Sequence, residues 1–134
     1  MKNIIGISVA ILLTLLAFGC APTKQQSQTG TWYDHSKLPP GTDTTYYPIY
    51  VPNPLYPANA VAEKVDGYAV VEVTVSIQGE VTSAKLLEEH PKGWGFGRVS
   101  LSAAPKLRYN PRIVDGKAVE MHGVLYKFTY RIQP

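Results

Sequence analysis

The chain has 134 residues, 45% of them hydrophobic and 17% charged, which is enough for one domain and little more. Its formal net charge of +3 is too small and too scattered for nucleic-acid binding, which requires a clustered basic face. The single cysteine, Cys20, excludes an internal disulfide and a cysteine-based zinc site.

The first twenty residues have the pattern of an export signal. Lys2 precedes an uncharged, largely apolar run over residues 4–19, which is shorter than the about 20 residues of a membrane-spanning helix and fits a secretory signal peptide. The run ends in the segment Leu16–Cys20, which resembles the lipobox of bacterial lipoproteins, with a plain signal peptide or short anchor helix as the alternative. The resemblance implies cleavage before Cys20 and lipidation of Cys20. Because Ala21 stands where an aspartate would favour the inner membrane, it implies a periplasm-facing lipoprotein of the outer membrane.

Three regions follow from this pattern: a signal peptide over residues 1–19, a lipid-anchored tether rich in Pro, Gln and Tyr over 20–52, and a folded domain over 53–134. Residues 23–31 are polar and are predicted to be disordered. Residues 46–57 are rich in Tyr and Pro and are predicted to be extended, like polyproline II. Their aromatic side chains indicate that part of this stretch packs, either on the chain's own domain or on a partner.

The domain begins with a predicted β-hairpin. Residues 58–64 are compatible with one or two helical turns before Gly67, which we expect to serve a turn. Alternation of β-branched and polar residues over 68–77 predicts a half-buried strand whose inner face includes Ile77. Residues 78–80 are predicted to form the hairpin turn around Gly79, and residues 81–88 to return as the second strand.

A helix and a final strand complete the predicted fold. Apolar and small residues recur at helical spacing from Phe96 to Ala103, and Pro105 is expected to end or kink that helix. Residues 108–111 are predicted to be extended, followed by a turn at Asp115-Gly116 and a long strand-rich segment over 119–132. The predicted fold class is therefore α+β: a three-stranded antiparallel sheet packed on one helix, in the order β-β-α-β.

Enzyme chemistry has little support in the sequence. The three histidines, His35, His90 and His122, have no partner at a metal-ligand spacing. The glycine-rich segment 93–97 has no Lys-Ser/Thr continuation, so it is interpreted as a loop that lets Phe96 enter the core rather than as a phosphate site. We therefore predict a protein that is not an enzyme and that uses no cofactor and no metal.

Over residues 53–132, the order and spacing of several short motifs resemble the C-terminal domain of TonB-type energy transducers. In the resemblance, Gly67, Gly79, Phe96, Arg108, Tyr109, Pro111 and Gly116 identify the fold, with Phe96 and Tyr109 as core residues. The motifs are Tyr56-Pro57, Ala60, Asp66-Gly67-Tyr68, Gly79-Glu80-Val81-Thr82, Pro91, Phe96, Ala103, Arg108-Tyr109-Asn110-Pro111 and Asp115-Gly116-Lys117.

The resemblance implies binding of an extended peptide, the TonB box of an outer-membrane receptor, by strand addition at the edge of the sheet. The receiving edge in this sequence is the segment Met121–Tyr130, and Gly123 within it indicates a bulge or a close backbone approach. The implied partner-binding residues are Tyr56, Pro57, Met121, Gly123, Val124, Leu125, Tyr126 and Phe128.

The sequence leaves three functions open. The first is a lipid-anchored protein that binds a receptor peptide, another envelope protein or its own copy without transducing energy. The second is an energy-transducing component of TonB-dependent uptake of siderophores or cobalamin, which the lipid anchor makes less expected because an acyl chain has no side chains to engage a motor. The third is a structural role in the envelope or a homodimer, since an exposed sheet edge favours self-pairing.

Overall fold

A computed structural model describes residues 30–134; Cys20, the predicted signal peptide and residues 20–29 of the predicted tether lie outside the described residues. The strands are β1 (Thr31–Trp32), β2 (Pro48–Val51), β3 (Gly67–Val75), β4 (Val81–His90), β5 (Arg108–Tyr109), β6 (Arg112–Val114), β7 (Lys117–Val119) and β8 (Met121–Tyr130). The α-helices are α1 (Ala58–Ala62) and α2 (Phe96–Ala103), with 3-10 turns at His35–Lys37 and Ala104–Lys106.

The central sheet is antiparallel and has the strand order β4-β3-β8. On β3 the alternate residues Ala69, Val71, Val73 and Val75 are at most 1% exposed, so this face carries the core that packs on α2. The predicted α+β class, with a three-stranded antiparallel sheet on one helix, is confirmed by the topology.

The β3–β4 turn begins earlier than the sequence pattern predicts. The Ser76 amide donates to the carbonyl oxygen of Glu80 at 2.7 Å, and the Gly79 amide donates to the carbonyl oxygen of Ser76 at 2.9 Å. The apolar face of β3 therefore ends at Val75, and Ile77, predicted on the buried face, lies in the turn with 48% of its surface exposed. At the other end, β4 extends to His90 rather than stopping at Glu88.

Helix α2 begins with a side chain in the centre of the core. Phe96 is fully buried, with its ring centroid 5.0 Å from that of Tyr130 and 5.8 Å from that of Tyr56. The same ring explains Gly67, because a Cβ at Gly67 would stand 2.3 Å from Cε2 of Phe96. The turn role predicted for Gly67 is thus wrong: it is the first residue of β3, and the ring requires it to lack a side chain. Pro105 ends α2 as predicted, within the turn Ala104–Lys106.

The strand-rich segment predicted over 119–132 contains the last residue of β7 and the whole of β8. A two-residue turn at Asp115-Gly116 connects β6 to β7, and both turn residues have a positive φ. Strand β8 then begins at Met121 and ends at Tyr130, while the Ile132 amide donates to Asp66 Oδ1 at 2.8 Å outside the ladder. Ile132 therefore leaves the strand because its backbone is bonded to a side chain rather than to β3.

Residues 30–54, which we call the arm, include most of the aromatic part of the predicted tether. Strand β2 pairs with β1 on one side and with β5 on the other, in a second antiparallel sheet. Pro48 is buried, and the rings of Trp32 and Tyr50 lie 4.7 Å apart. Of the two alternatives left by the sequence, the structure shows packing of this stretch on the chain's own domain.

Three tyrosines that are buried or half-buried predict how the domain responds to alkali. Burial raises the pKa of Tyr126 and of Tyr130 to about 12 and also raises the pKa of Tyr109. Unfolded tyrosines ionise near pH 10, so between about pH 10 and 12 the unfolded chain releases protons that the folded chain retains, and stability falls as pH rises. We expect the urea midpoint to be nearly constant from about pH 7 to 9 and to fall above about pH 10. Tyr130→Phe should reduce this fall, whereas the exposed control Tyr46→Phe should not.

Candidate functional site

Strand β8 forms an edge of the central sheet. Its ladder joins it to β3, from Gly67 opposite Tyr130 to Val75 opposite Met121, and no other strand of residues 30–134 pairs with it. The register shifts between the pairs Val73–Val124 and Val75–Met121, so β8 has one extra residue there. Gly123 lies in this bulge with φ +66°, and a Cβ there would meet nothing within 4 Å. Of the two roles indicated for Gly123, the structure therefore shows the bulge.

The predicted partner-binding residues on β8 fall into two groups according to the exposure of their side chains. Met121, Val124 and Phe128 are at most 3% exposed and belong to the core. Leu125 is 57% exposed, while Tyr126 is half-buried at the margin of the core, 4.8 Å from Phe128 between ring centroids. Of the predicted residues on β8, Leu125 and Tyr126 are thus the large side chains left open to a partner beside the backbone edge.

Tyr56 and Pro57 are placed inside the domain, away from the edge backbone. The Tyr56 hydroxyl donates to the carbonyl oxygen of Val65 at 2.8 Å, and its ring packs edge-on against Phe96 and Tyr130. Burial raises the pKa of Tyr56, with the Asp66 carboxylate as a second cause. Pro57 is buried and precedes α1 as its N-cap residue. Tyr56 therefore supports the end of β8 at Tyr130, whereas Pro57 marks the start of α1.

The remaining motif residues hold β5 against the β3–β4 turn. The Tyr109 amide donates to the carbonyl oxygen of Gly79 at 2.8 Å, and Glu80 and Arg108 form an isolated β-bridge. The Arg108 guanidinium donates to the carbonyl oxygens of Pro105 and Leu107, at 2.9 and 2.8 Å. Tyr109 is 1% exposed, as expected for a core residue.

Past β5 the chain becomes exposed. Pro111 and Gly116 both lie on the surface, and Gly116 completes the two-residue turn between β6 and β7. Pro111 lies beside the β3–β4 turn, because a Cβ at Gly79 would stand 3.7 Å from its Cδ.

A groove separates the edge of β8 from the arm. Its volume is about 310 Å³, and many of its lining atoms are polar. One wall is β8 at Tyr126, Phe128 and Thr129; the other is the arm at Thr31, Tyr33 and residues 51–54. The arm residues were not among the predicted site residues, although the density of Tyr and Pro before residue 57 was a signal that this stretch packs.

The site can supply hydrogen bonds and apolar contacts. Within residues 30–134, no group of three His, Cys, Asp or Glu side chains is placed to hold a metal ion. In the same part of the chain, none of the helices is both long enough and apolar enough to cross a membrane. What β8 itself offers is a strand edge beside a groove.

Comparisons with known proteins agree with this geometry. A family described as "Gram-negative bacterial TonB protein C-terminal" matches residues 52–132. Protein TonB of Pseudomonas aeruginosa is 31% identical over 101 residues, which are 74% of this chain and only 27% of that relative's length.

Two solved structures share the fold. The solution NMR structure of the Pseudomonas aeruginosa TonB C-terminal domain aligns with a TM-score of 0.54 at 28% identity, covering 69% of this chain and 92% of that one. A structure of the TonB2 protein from Vibrio anguillarum gives a TM-score of 0.50 at 28% identity, covering 79% and 94% of the two chains. The chain therefore belongs to the family of Gram-negative bacterial TonB C-terminal domains.

Proposed function

We propose that this chain is a lipid-anchored envelope protein that binds an extended peptide segment of an outer-membrane receptor, or of another envelope protein, by adding it as a strand to β8. The observation that carries the proposal is the edge itself: β8 pairs on one side with β3 and borders a groove on the other. An exposed edge presents a row of N–H and C=O groups that an extended peptide can pair with.

The structure of β8 suits this mode of binding. The side chains of Met121, Val124 and Phe128 are held in the core, so the strand cannot twist away without exposing them. Affinity then comes from main-chain hydrogen bonds, and selectivity comes from the few side chains near the edge. The bulge at Gly123 increases the local twist and marks one end of the regular edge.

The anchor would place this edge near the receptors of the outer membrane. In this proposal Cys20 carries acyl chains, and the ten residues from Cys20 to Gly30 span at most roughly 35 Å when fully extended. Two or three acyl chains would hold the protein firmly on the membrane surface. The domain would thus sample the periplasmic face of that membrane, where a receptor peptide is within reach.

Strand addition has a signature that alternate N-methylation of the peptide can test. In an added strand every second amide faces β8, so methylating those amides should abolish binding, whereas methylating the intervening amides should preserve it. We expect at least a tenfold difference in dissociation constant between the two methylated series. The measurement is calorimetric titration of the purified full-length chain with TonB-box peptides from receptors of the same genome.

Equal binding by the two methylated series would contradict strand addition. The unmethylated peptide and a peptide of scrambled sequence are the controls. Light scattering over the same concentrations detects self-association, and peptide affinity that weakens as the protein dimerises would show that a second copy occupies β8 instead.

A further inference from the structure

A second cavity adjoins the groove along β8. It has a volume of about 200 Å³ and a mostly apolar lining. Seven of its lining residues come from the arm, and Tyr126 comes from β8. The arm residues are Tyr33, Asp34, His35, Leu38, Tyr47, Pro48 and Val51.

The cavity walls are set by hydrogen bonds within the arm. The Tyr33 amide donates to the carbonyl oxygen of Ile49 at 2.9 Å, which extends the pairing of β1 with β2. On the other side, the His35 ring nitrogen Nε2 donates to the carbonyl oxygen of Pro48 at 3.2 Å. The cavity is thus formed before any partner arrives.

Large apolar side chains around this cavity remain open to solvent. Tyr47 is 57% exposed, Tyr33 is 51% exposed and Leu38 is 39% exposed. Burying them against another apolar group would be favourable, because apolar surface gains free energy when it leaves water. A cavity of about 150 Å³ with apolar walls holds a benzene ring, so this one has room for a leucine or phenylalanine side chain.

The cavity and the groove share lining residues at β8. Tyr33, Val51 and Tyr126 line both of them. A peptide residue directly opposite Tyr126 would have its Cβ about 4.5–5.5 Å from that of Tyr126, on the same face of the sheet. Its side chain would therefore point toward the cavity.

We infer that the cavity selects partners by accepting a bulky apolar side chain, such as Leu or Phe, from the peptide residue opposite Tyr126. This inference rests on strand addition to β8, the proposed function. The partner class is thus an extended segment with a bulky apolar residue opposite Tyr126.

A charged side chain fits the cavity less well. Asp34 is the carboxylate in its lining, and its Oδ1 already accepts hydrogen bonds from the amide and hydroxyl of Ser36, at 3.0 and 2.6 Å. The Lys37 ammonium stands 3.9 Å from Oδ2 of the same carboxylate. A lysine entering from a peptide would lose water while meeting a carboxylate that has partners already.

The test is a position scan of a TonB-box peptide that binds the full-length chain. Each position is changed in turn to Ser, Lys, Leu and Phe, and dissociation constants are measured by calorimetry. We expect one position at which Leu or Phe binds roughly tenfold or more tightly than Ser, since partial burial of such a side chain corresponds to a change of that size. Lys at that position should bind no better than Ser.

Two protein variants separate the cavity from the rest of the edge. Leu38→Ser and Tyr47→Ser should reduce the preference for Leu over Ser to within about threefold while leaving the Ser peptide's affinity unchanged. Leu87→Ser is the matched control, because Leu87 is similarly exposed at 46% but lies on β4, at the opposite edge of the sheet. That variant should retain the full preference.

The possible outcomes distinguish the cavity's role in selection from strand addition itself. Tight binding with no preferred apolar position, a preference for Lys, or a preference unchanged in both Leu38→Ser and Tyr47→Ser would overturn the cavity's role and leave strand addition intact. Failure of every peptide to bind would overturn strand addition, and the inference with it.

Discussion

Gly79→Ala should cost this domain about 3–5 kcal/mol of unfolding free energy, a large fraction of the stability of a domain of this size. Gly79 has φ +83°, a conformation that an alanine adopts only with strain. A Cβ at this position would also stand 1.9 Å from the carbonyl oxygen of Tyr109. Because that atom belongs to the backbone, relief requires β5 to move away from the turn.

That movement would be transmitted to the core. The Tyr109 amide donates to the Gly79 carbonyl, and the Tyr109 ring is 1% exposed, so displacing β5 breaks a hydrogen bond and opens a packed site. Strand β5 also pairs with β2, and the arm should therefore loosen together with the core.

Gly116→Ala provides the matched control. Gly116 has a similar φ of +76°, but a Cβ there would meet nothing within 4 Å, so the cost should be limited to backbone strain of about 1–2 kcal/mol. Urea unfolding of the full-length chain, followed by tryptophan fluorescence, measures both variants. Equal losses in the two variants would show that backbone strain alone, rather than the approach of Tyr109, determines the requirement at Gly79.

Cys20→Ser should release the protein from the membrane almost completely. In the proposed function the acyl chains on Cys20 are the anchor, and each buried CH₂ contributes about 0.8 kcal/mol, so their loss removes nearly all membrane affinity. Labelling cells with radioactive palmitate and separating membrane from soluble periplasmic fractions would measure lipidation and location together. We expect the wild-type chain to be labelled in the membrane fraction and the variant to be unlabelled and soluble.

A substitution elsewhere in the tether supplies the control for Cys20→Ser. Ser27→Ala changes a nearby position without touching the thiol, and it should keep both the label and the membrane location. Retention of Cys20→Ser in the membrane would contradict the lipid anchor. It would favour an anchor helix over residues 4–19 and, with it, the alternative of an energy-transducing component.

Most of the arm lies outside the part of the chain that the family match covers. The match begins at Pro52, whereas β1 and β2 both lie before it, and residues of these strands line one wall of the groove along β8. If the family domain supplies the edge for strand addition, the arm is the part of this chain that can adapt the site to its own partner.

Local patterns were sufficient to predict much of the fold. Alternation along β3 predicted its buried face, helical spacing from Phe96 predicted α2, and Asp115-Gly116 predicted a two-residue turn. Each of these depends on neighbours in sequence. Side chains alternate along a strand and repeat every 3.6 residues along a helix, and a two-residue turn with positive φ favours residues such as Asp and Gly.

The composition of the candidate site depended on contacts between distant residues. Alternation predicted Ile77 in the core, but the Ser76–Glu80 hydrogen bond ends the strand before it. A turn role was predicted for Gly67, but the Phe96 ring packed against it is what requires a glycine there. The sequence by itself determined the central β-β-α-β order, the family and the segment that becomes the open edge. Only the tertiary structure placed the arm beside β8 and formed the cavity at Tyr126, because those contacts join residues far apart in sequence that no local periodicity relates.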